Sequence, residues 1–282
     1  MRRGLLGLAL LVACGCGQPS VTPPIDAGAD GGSDAGRDAG SDAGVDSGPD
    51  ADAGPTGPGV TGLLLDEGDQ PIGNFAVLAC TAKFCLFGES DASGRFAFPL
   101  DPPVDVAVKT QEDPTTSPRR GAALVPVQIV DQALIDLGAV HVPTLPAGVK
   151  VGQESQDPQT LMVGDGLQLT VRRADLDPPL GVLLDDLAAR AIPTAHLHPL
   201  PGLGAEEIVA VYALHPFTTT SLSPIAVRAP STLAAGTVVR FRTVSELDGH
   251  LSAPVLGHAD GAFVATDPAV GIEELTWLVI SR

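Results

Sequence analysis

Two histidines lie two residues apart in the C-terminal half of the chain, at His196 and His198. If this segment is a β-strand, both imidazole rings lie on one face, which is a suitable spacing for two ligands of zinc or copper. A metal site needs further protein ligands, and the sequence places neither His215 nor the acidic pair Asp185 and Asp186 nearby. Polar residues on the outer face of a strand explain the pattern equally well, so no metal and no cofactor is predicted.

Patterns for other chemistry are missing from the sequence. The nearest approach to a serine nucleophile elbow is residues 88–92, which lack the final glycine and fall on a turn. The chain contains no His-Glu-x-x-His, no P-loop and no dinucleotide fingerprint. The neighbouring carboxylates Glu206 and Glu207, like Glu273 and Glu274, point to opposite faces of a strand and cannot share a substrate. We therefore predict no catalytic residues and a protein that is not an enzyme.

The first residues have the layout of a secretory signal. Arg2 and Arg3 form a positive region, and residues 4–13 form an apolar run that is too short to span a bilayer. The run ends at Cys14, and this ending resembles the bacterial lipobox, in which cleavage precedes a cysteine that carries lipid. The resemblance implies a signal peptide over residues 1–13 and a lipidated Cys14 that anchors the protein to a membrane. Gly15 after that cysteine, instead of aspartate, implies the outer membrane as the destination.

The remaining cysteines are Cys16, Cys80 and Cys85. Cys16 would carry the lipid only if cleavage moved by two residues, and residues 13–15 before it match the lipobox poorly. Cys80 and Cys85 are left as a pair, and export places them in an oxidising compartment. We predict a disulfide across the short loop between them, with two free buried thiols as the alternative.

An acidic repeat separates the signal from the rest of the chain. Aspartate recurs at every fourth residue from Asp26 to Asp50, and glycine from Gly28 to Gly48. A helix would lose about 1 kcal/mol at each interior glycine, with no apolar pattern to offset the loss. We therefore predict a lipidated N-terminus and a disordered linker over residues 14–59, which charge repulsion extends and which holds the folded part away from the bilayer. Calcium binding by the aspartates is the alternative, but the repeat lacks the pattern of calcium-binding β-helices.

The rest of the chain consists of short apolar segments between turns rich in Gly, Pro and Asp. Phe96 and Phe98 alternate with small or polar residues, as a half-buried strand requires, and residues 104–108 alternate in the same way. We predict an all-β protein with two β-sandwich (Ig-like) domains, over residues 60–145 and 146–282. Residues 183–191 are the one segment that we expect to be helical. The predicted strands are residues 60–65, 74–80, 95–98, 104–108, 122–130, 135–142, 167–171, 208–214, 225–229, 237–244 and 275–280.

Features of the first domain recur in a known family. A strand ending in residues 62–65, a Gly-x-x-Pro-Ile turn at 68–72, a Ser-Asp-Ala-Ser-Gly-Arg-Phe turn and strand at 90–96, and Leu137-Gly138 together resemble the carboxypeptidase regulatory-like domain. That family is a transthyretin-like β-sandwich, and the resemblance implies a non-catalytic spacer or adhesion module. Some related adhesin repeats contain a Lys–Asn isopeptide bond. The first strand here has no lysine, so that crosslink is not expected.

The second domain contains segments 211–216, 223–227 and 233–237 followed by a final strand. This order of segments resembles a β-sandwich of netrin-receptor and ankyrin-type proteins. Some related domains cleave themselves at a His-Phe/Leu-Ser/Thr tripeptide, where the hydroxyl attacks the preceding carbonyl. The matching position here is Glu274-Leu275-Thr276, in which glutamate replaces histidine, so cleavage is not expected. A second match, His250-Leu251-Ser252, follows a turn and reads as an exposed loop.

Charge and aromatic content limit the partners. The formal net charge of −18 argues against nucleic-acid binding, which needs a basic face. Trp277 lies in an almost wholly apolar strand and is predicted to pack in a core instead of stacking on a sugar. We expect a non-catalytic, lipid-anchored envelope protein that presents β-sandwich modules to a protein or glycan ligand. The alternatives are an enzyme or enzyme accessory in the C-terminal domain, acting on envelope polysaccharide or peptide, and a carbohydrate-binding module with exposed aromatic rings.

Overall fold

The computed structural model describes residues 57–152, 157–182 and 184–282. These residues form β-strands and two 3-10 helices, Arg173–Asp175 and Thr194–His196, without any α-helix. The all-β prediction is therefore confirmed. In the described part of the chain, no helix has the length and apolarity that a membrane span requires. The signal peptide, Cys14, Cys16 and the acidic linker up to residue 56 lie outside the described residues and stay predictions.

The first seven strands, which we call the N-terminal module, form two facing sheets. A three-stranded sheet has the order β4-β1-β7, with β1 and β7 parallel, and a four-stranded sheet has the order β3-β2-β5-β6. Side chains from both sheets fill one core, including Leu64, Phe96, Val108 and Ile129. The module is therefore a β-sandwich. Its strands are β1 (Gly59–Leu65), β2 (Ala76–Cys80), β3 (Cys85–Glu89), β4 (Arg95–Pro99), β5 (Val104–Thr110), β6 (Leu124–Ile129) and β7 (Leu134–His141).

The remaining strands, which we call the C-terminal module, belong to one long sheet with the order β8-β12-β13-β19-β15-β16-β17-β14-β10-β9. The short strands β11 and β18 pair with β14. Residues near both ends of this order, such as Leu187 and Leu169, share one core, so the sheet folds over on itself. The strands are β8 (Val149–Lys150), β9 (Gln159–Gly164), β10 (Leu167–Val171), β11 (Leu176–Asp177), β12 (Asp186–Ala191), β13 (Ile208–His215), β14 (Thr219–Pro230), β15 (Val238–Val244), β16 (Val255–Ala259), β17 (Phe263–Thr266), β18 (Ile272–Leu275) and β19 (Trp277–Ser281).

The helix predicted over residues 183–191 is wrong. Residues 186–191 form strand β12, which pairs antiparallel with β13 from Ala188–His215 to Ala191–Tyr212. Leu and Ala favour a helix locally, but tertiary context overrides intrinsic propensity. Here both faces of the strand are covered, since Leu187, Ala188 and Ala189 are all buried. A short apolar run that is buried on both faces does not alternate, and it cannot be distinguished from a buried helix by periodicity.

A third apolar cluster joins the two modules. It brings Ala107 of β5 and Leu124 of β6 against Val211, Trp277 and Val279, which lie on the adjacent strands β13 and β19. Sheet therefore packs on sheet across the junction, and the strands involved are buried on both faces. Residues 104–108 were predicted to form a strand buried on one face only. This prediction is wrong for the second half of β5, because every residue from 106 onward is buried.

Trp277 is at the centre of this junction. Its side chain is 3% exposed, and its indole Nε1–H donates a hydrogen bond to the Ala122 carbonyl at 2.8 Å, across the two modules. The prediction that Trp277 packs in a core is confirmed. Its neighbours Leu278 and Ile280 point the other way, into the core of the C-terminal module, as alternation along a strand requires.

Candidate functional site at the module junction and its edge

The predicted disulfide between Cys80 and Cys85 is present. The two residues pair directly across the β2–β3 hairpin, with a Cα–Cα distance of 4.0 Å. The Thr81 hydroxyl accepts hydrogen bonds from the backbone N–H groups of Lys83 and Phe84 and closes the turn between the strands. The crosslink and the turn together hold the tip of this hairpin in one shape.

Two aromatic rings are exposed on this hairpin. The Phe84 and Phe87 side chains are 51% and 79% exposed, which is unusual for large apolar groups. Strand β3 is an end strand of its four-stranded sheet, so no described strand pairs with its outer side. Sequence reasoning missed this surface. The short spacing of Phe84 and Phe87 around Cys85 in a hairpin that a disulfide closes was the available signal.

A histidine between two carboxylates lies under the junction. His215, at the end of β13, is 5% exposed, with its Nδ1 2.8 Å from Glu112 Oε2 and its Nε2 3.4 Å from Asp186 Oδ1. Arg119 in turn donates to Asp186 at 3.1 Å and to the Pro146 carbonyl at 2.9 Å. Glu112 and Arg119 come from the N-terminal module, so these charges link the modules.

Two further ion pairs cross the same junction. Lys109 pairs with Glu246. The Arg190 guanidinium donates to both carboxylate oxygens of Glu67, at 2.8 and 2.7 Å, which is the two-bond geometry that makes such pairs strong. This fork raises the pKa of Arg190 above its ordinary value. Glu67 also accepts the backbone N–H of Thr144 at 3.0 Å, next to the segment that connects the modules.

Near this fork, the structure places Asp69, His141 and His196 together. One ligand atom from each residue lies within 4.8 Å of the other two. The His141 Nε2 is 2.9 Å from Asp69 Oδ1, and the His141 and His196 rings stack with centroids 3.7 Å apart and planes at 7°. Asp69 and His141 come from the N-terminal module and His196 from the C-terminal module. The trio therefore spans the junction and is a set of residues that can hold a metal ion.

Local structure explains how these three residues meet. Because β1 and β7 run parallel with Leu65 beside His141, the turn after β1 lies next to the end of β7. In that turn Asp66 Oδ1 accepts the N–H groups of Gly68 and Gln70, which fixes Asp69 in a left-handed conformation with φ of 61°. Asn and Asp tolerate this region better than most residues.

The strand geometry considered for His196 and His198 differs from the one observed. Residues 194–196 form a 3-10 helix and residues 197–198 an irregular segment, so the assumption of a strand with both rings on one face is wrong. His198 instead has its Nε2 3.0 Å from the Ala139 carbonyl. His215 belongs to the separate cluster with Asp186 described above. Sequence reasoning missed His141 and Asp69, because only the parallel pairing of β1 with β7 brings them to His196.

Burial lowers the pKa of two of these histidines. Desolvation disfavours the charged form of His196, and the neighbouring His141 lowers its pKa further, while the Asp69 and Glu67 carboxylates oppose the shift. Burial likewise lowers the pKa of His198, against the effect of its hydrogen bond to Ala139. Neutral imidazoles are thereby favoured, and the neutral form is the one that coordinates metals.

The two tripeptides weighed for self-cleavage lie in different surroundings. His250 is 58% exposed in the loop between β15 and β16 and faces Asp105 and Asp248, which agrees with an exposed loop. Thr276 is fully buried between β18 and β19, and the Leu275 carbonyl before it accepts the N–H of Thr218 at 2.8 Å. No histidine occupies the position before Leu275, because Glu274 lies there.

Comparison of the chain with protein-family models finds no match, and comparison with curated proteins finds no significant similarity.

Proposed function

We propose that this chain is a non-catalytic, lipid-anchored protein of the bacterial envelope, whose two β-modules form one binding unit on an acidic tether. The observation that carries the proposal is the free edge strand β3, which carries the exposed Phe87, together with the exposed Phe84 in the turn just before it, in a hairpin that a disulfide closes. A rigid strand edge with apolar side chains can receive an extended segment of another protein by strand addition. The proposed ligand is therefore an extended segment of an envelope or cell-surface protein.

The ionisable residues at the junction support a binding unit over an enzyme. Both nitrogens of His215 face carboxylate oxygens, one from each module, so the buried ring links the two modules through Glu112 and Asp186. Arg119, Arg190 and Lys109 are each engaged by a carboxylate of the opposite module. These charges hold the modules together and leave no nucleophile and base aligned with each other in this cluster.

The anchor rests on the N-terminal sequence. Residues 1–13 have the layout of a signal, Cys14 follows the lipobox-like ending, and the aspartate repeat after it suits an extended tether.

The N-terminal module also fits the proposed membership in the carboxypeptidase regulatory-like family. Its Asp91 side chain caps the turn before β4 by accepting the N–H groups of Ser93 and Arg95.

The anchor is tested by intact mass and cell fractionation of the protein expressed from its own signal in a Gram-negative host. Wild type and Cys16→Ser are expected to be acylated and to fractionate with the outer membrane. Cys14→Ser is expected to lose the acyl mass and to be released from membranes. An unacylated wild type, or acylation that is lost only in Cys16→Ser, contradicts the assignment of Cys14.

The binding surface is tested by pull-down from envelope extracts with a Phe84→Ser/Phe87→Ser double variant. Its matched control is Leu222→Ser, which removes a side chain 86% exposed on strand β14, in the other module. Retention of an envelope protein by wild type and the control, but not by the double variant, supports the proposal. If wild type is retained on polysaccharide and the double variant is not, the ligand is a glycan and the proposed protein ligand is wrong. Ester or peptide hydrolysis that His215→Gln abolishes contradicts a non-catalytic role.

A further inference from the structure

We propose that Asp69, His141 and His196 bind one zinc ion, which joins the two modules at their junction. This inference does not depend on the ligand or the anchor proposed above. It rests on three side chains of suitable chemistry from three separate parts of the chain: the turn after β1, the end of β7 and the 3-10 helix after β12. These three residues are far apart in sequence, and only the fold brings their ligand atoms together.

The ligand types favour zinc over a hard cation. Two imidazoles and one carboxylate are a borderline set that suits zinc and copper, whereas calcium and magnesium prefer oxygen ligands alone. Three protein ligands leave a fourth tetrahedral position for water.

The distances require only small movements. Zinc bonds of about 2.0–2.1 Å place ligand atoms roughly 3.4 Å apart on a tetrahedron. The three ligand atoms lie within 4.8 Å of one another, and the His141–Asp69 pair is already at 2.9 Å. The His141 and His196 rings must tilt out of their parallel stack so that one nitrogen of each points at the ion. Asp69 can follow, because its side chain is 76% exposed at the rim of the site.

The contacts within the protein leave His141 incompletely satisfied. Its ring is 11% exposed, its Nε2 faces Asp69, and its Nδ1 is buried without a hydrogen-bond partner. A buried polar atom without a partner costs free energy, so such groups in folded proteins usually have a purpose. A ring that coordinates an ion gains a strong interaction that offsets this cost.

The test is isothermal titration of the full chain, stripped by a chelator, with zinc chloride and separately with calcium chloride. Wild type is expected to bind about one zinc ion per chain at this site, and His196→Gln and Asp69→Asn are expected to weaken that binding more than about tenfold. The matched control is His258→Gln. His258 also pairs with an aspartate, with Nδ1 2.7 Å from Asp267, but the pair has no second histidine. Its loss is expected to leave zinc affinity unchanged.

A second measurement separates this site from zinc bound elsewhere, for example by the linker aspartates or Cys16. Zinc is expected to raise the midpoint of thermal unfolding of wild type and His258→Gln, because an ion that holds both modules favours the folded state. The rise is expected to be absent in Asp69→Asn, whose exposed side chain can be changed without disturbing the fold. No zinc binding by wild type, or equal binding and equal stabilisation in wild type, Asp69→Asn and His196→Gln, would overturn the proposal.

Discussion

Replacing Glu206 with glutamine should destabilise the C-terminal module in a manner that depends on pH. Glu206 lies just before β13 and accepts two hydrogen bonds from the Arg242 guanidinium of β15, at 2.6 and 2.8 Å. It also accepts the Ser281 hydroxyl of β19 at 2.6 Å. One carboxylate thus holds the ends of three adjacent strands, and Arg242 is only 9% exposed.

The pKa of Glu206 indicates how much this contact stabilises the fold. The hydrogen bonds from Arg242, and then from Ser281, lower the pKa of the carboxyl from an ordinary 4.5 to about 2. A tenfold change in proton affinity corresponds to about 1.4 kcal/mol, so the maximum contribution is roughly 3 kcal/mol. The Glu206 side chain is 22% exposed, and solvent screening reduces this to about 2 kcal/mol.

The sign of the pH dependence follows from the direction of the shift. A carboxyl whose pKa is depressed in the folded state adds stability above its ordinary pKa and loses it as pH falls toward the folded value. The free energy of unfolding of Glu206→Gln should therefore be about 2 kcal/mol lower than that of wild type at pH 7. That difference should shrink to less than about half as pH falls from 5 toward 3.

Urea unfolding at pH 7, 5, 4 and 3, followed by Trp277 fluorescence, measures this difference. Glu207→Gln is the matched control, since Glu207 pairs with Arg282 at the surface, where its side chain is 67% exposed. Such a pair is worth less than about 1 kcal/mol. Equal destabilisation by the two variants, or a Glu206→Gln deficit that stays constant from pH 7 to pH 3, would contradict the stabilising role assigned to the Glu206 carboxylate.

Three further predictions concern the two modules. Reducing the Cys80–Cys85 disulfide should lower the free energy of unfolding by about 2 kcal/mol, which is the chain-entropy value for a short loop. Urea unfolding with and without reductant measures this difference, and the mass after alkylation checks that the disulfide is reduced. Trp277→Phe should cost about 1–3 kcal/mol by urea unfolding, because it leaves the buried Ala122 carbonyl without its donor; no loss would show that the hydrogen bond contributes nothing. Burial, and then the nearby Glu246, raise the pKa of Glu274, so its charged form destabilises the fold above the ordinary glutamate pKa. Glu274→Gln should therefore be more stable than wild type in that pH range and equal to it at pH 3. The control Glu273→Gln, at an exposed position, should show no such gain.

Much of the fold could be predicted from local sequence. Turn chemistry and alternation predicted β4, where Phe96 and Phe98 face the core and their neighbours face solvent. Two of the failures occur where tertiary contacts bury a strand on both faces. Strand β12 was predicted as a helix, and the second half of β5 as half-buried, because the covering surface belongs to a distant part of the chain.

The candidate sites were less predictable than the fold. The Cys80–Cys85 disulfide followed from the cysteine count and the predicted compartment. The trio of Asp69, His141 and His196 did not follow, because these residues are separated by long stretches of chain and meet only through strand pairing. Exposure of Phe84 and Phe87 was not predicted either, since a phenylalanine is more often buried and the spacing of the two rings around Cys85 was the one signal for it.

The all-β class, the turns and the hairpin disulfide could be inferred from local sequence, because these features depend on residues close together in the chain. The folded chain alone shows that the modules share a buried junction, with Trp277 and a set of ion pairs between them. It also shows which histidines meet. These features depend on contacts between residues far apart in sequence, and periodicity carries information about which face of an element is apolar but not about what packs against that face.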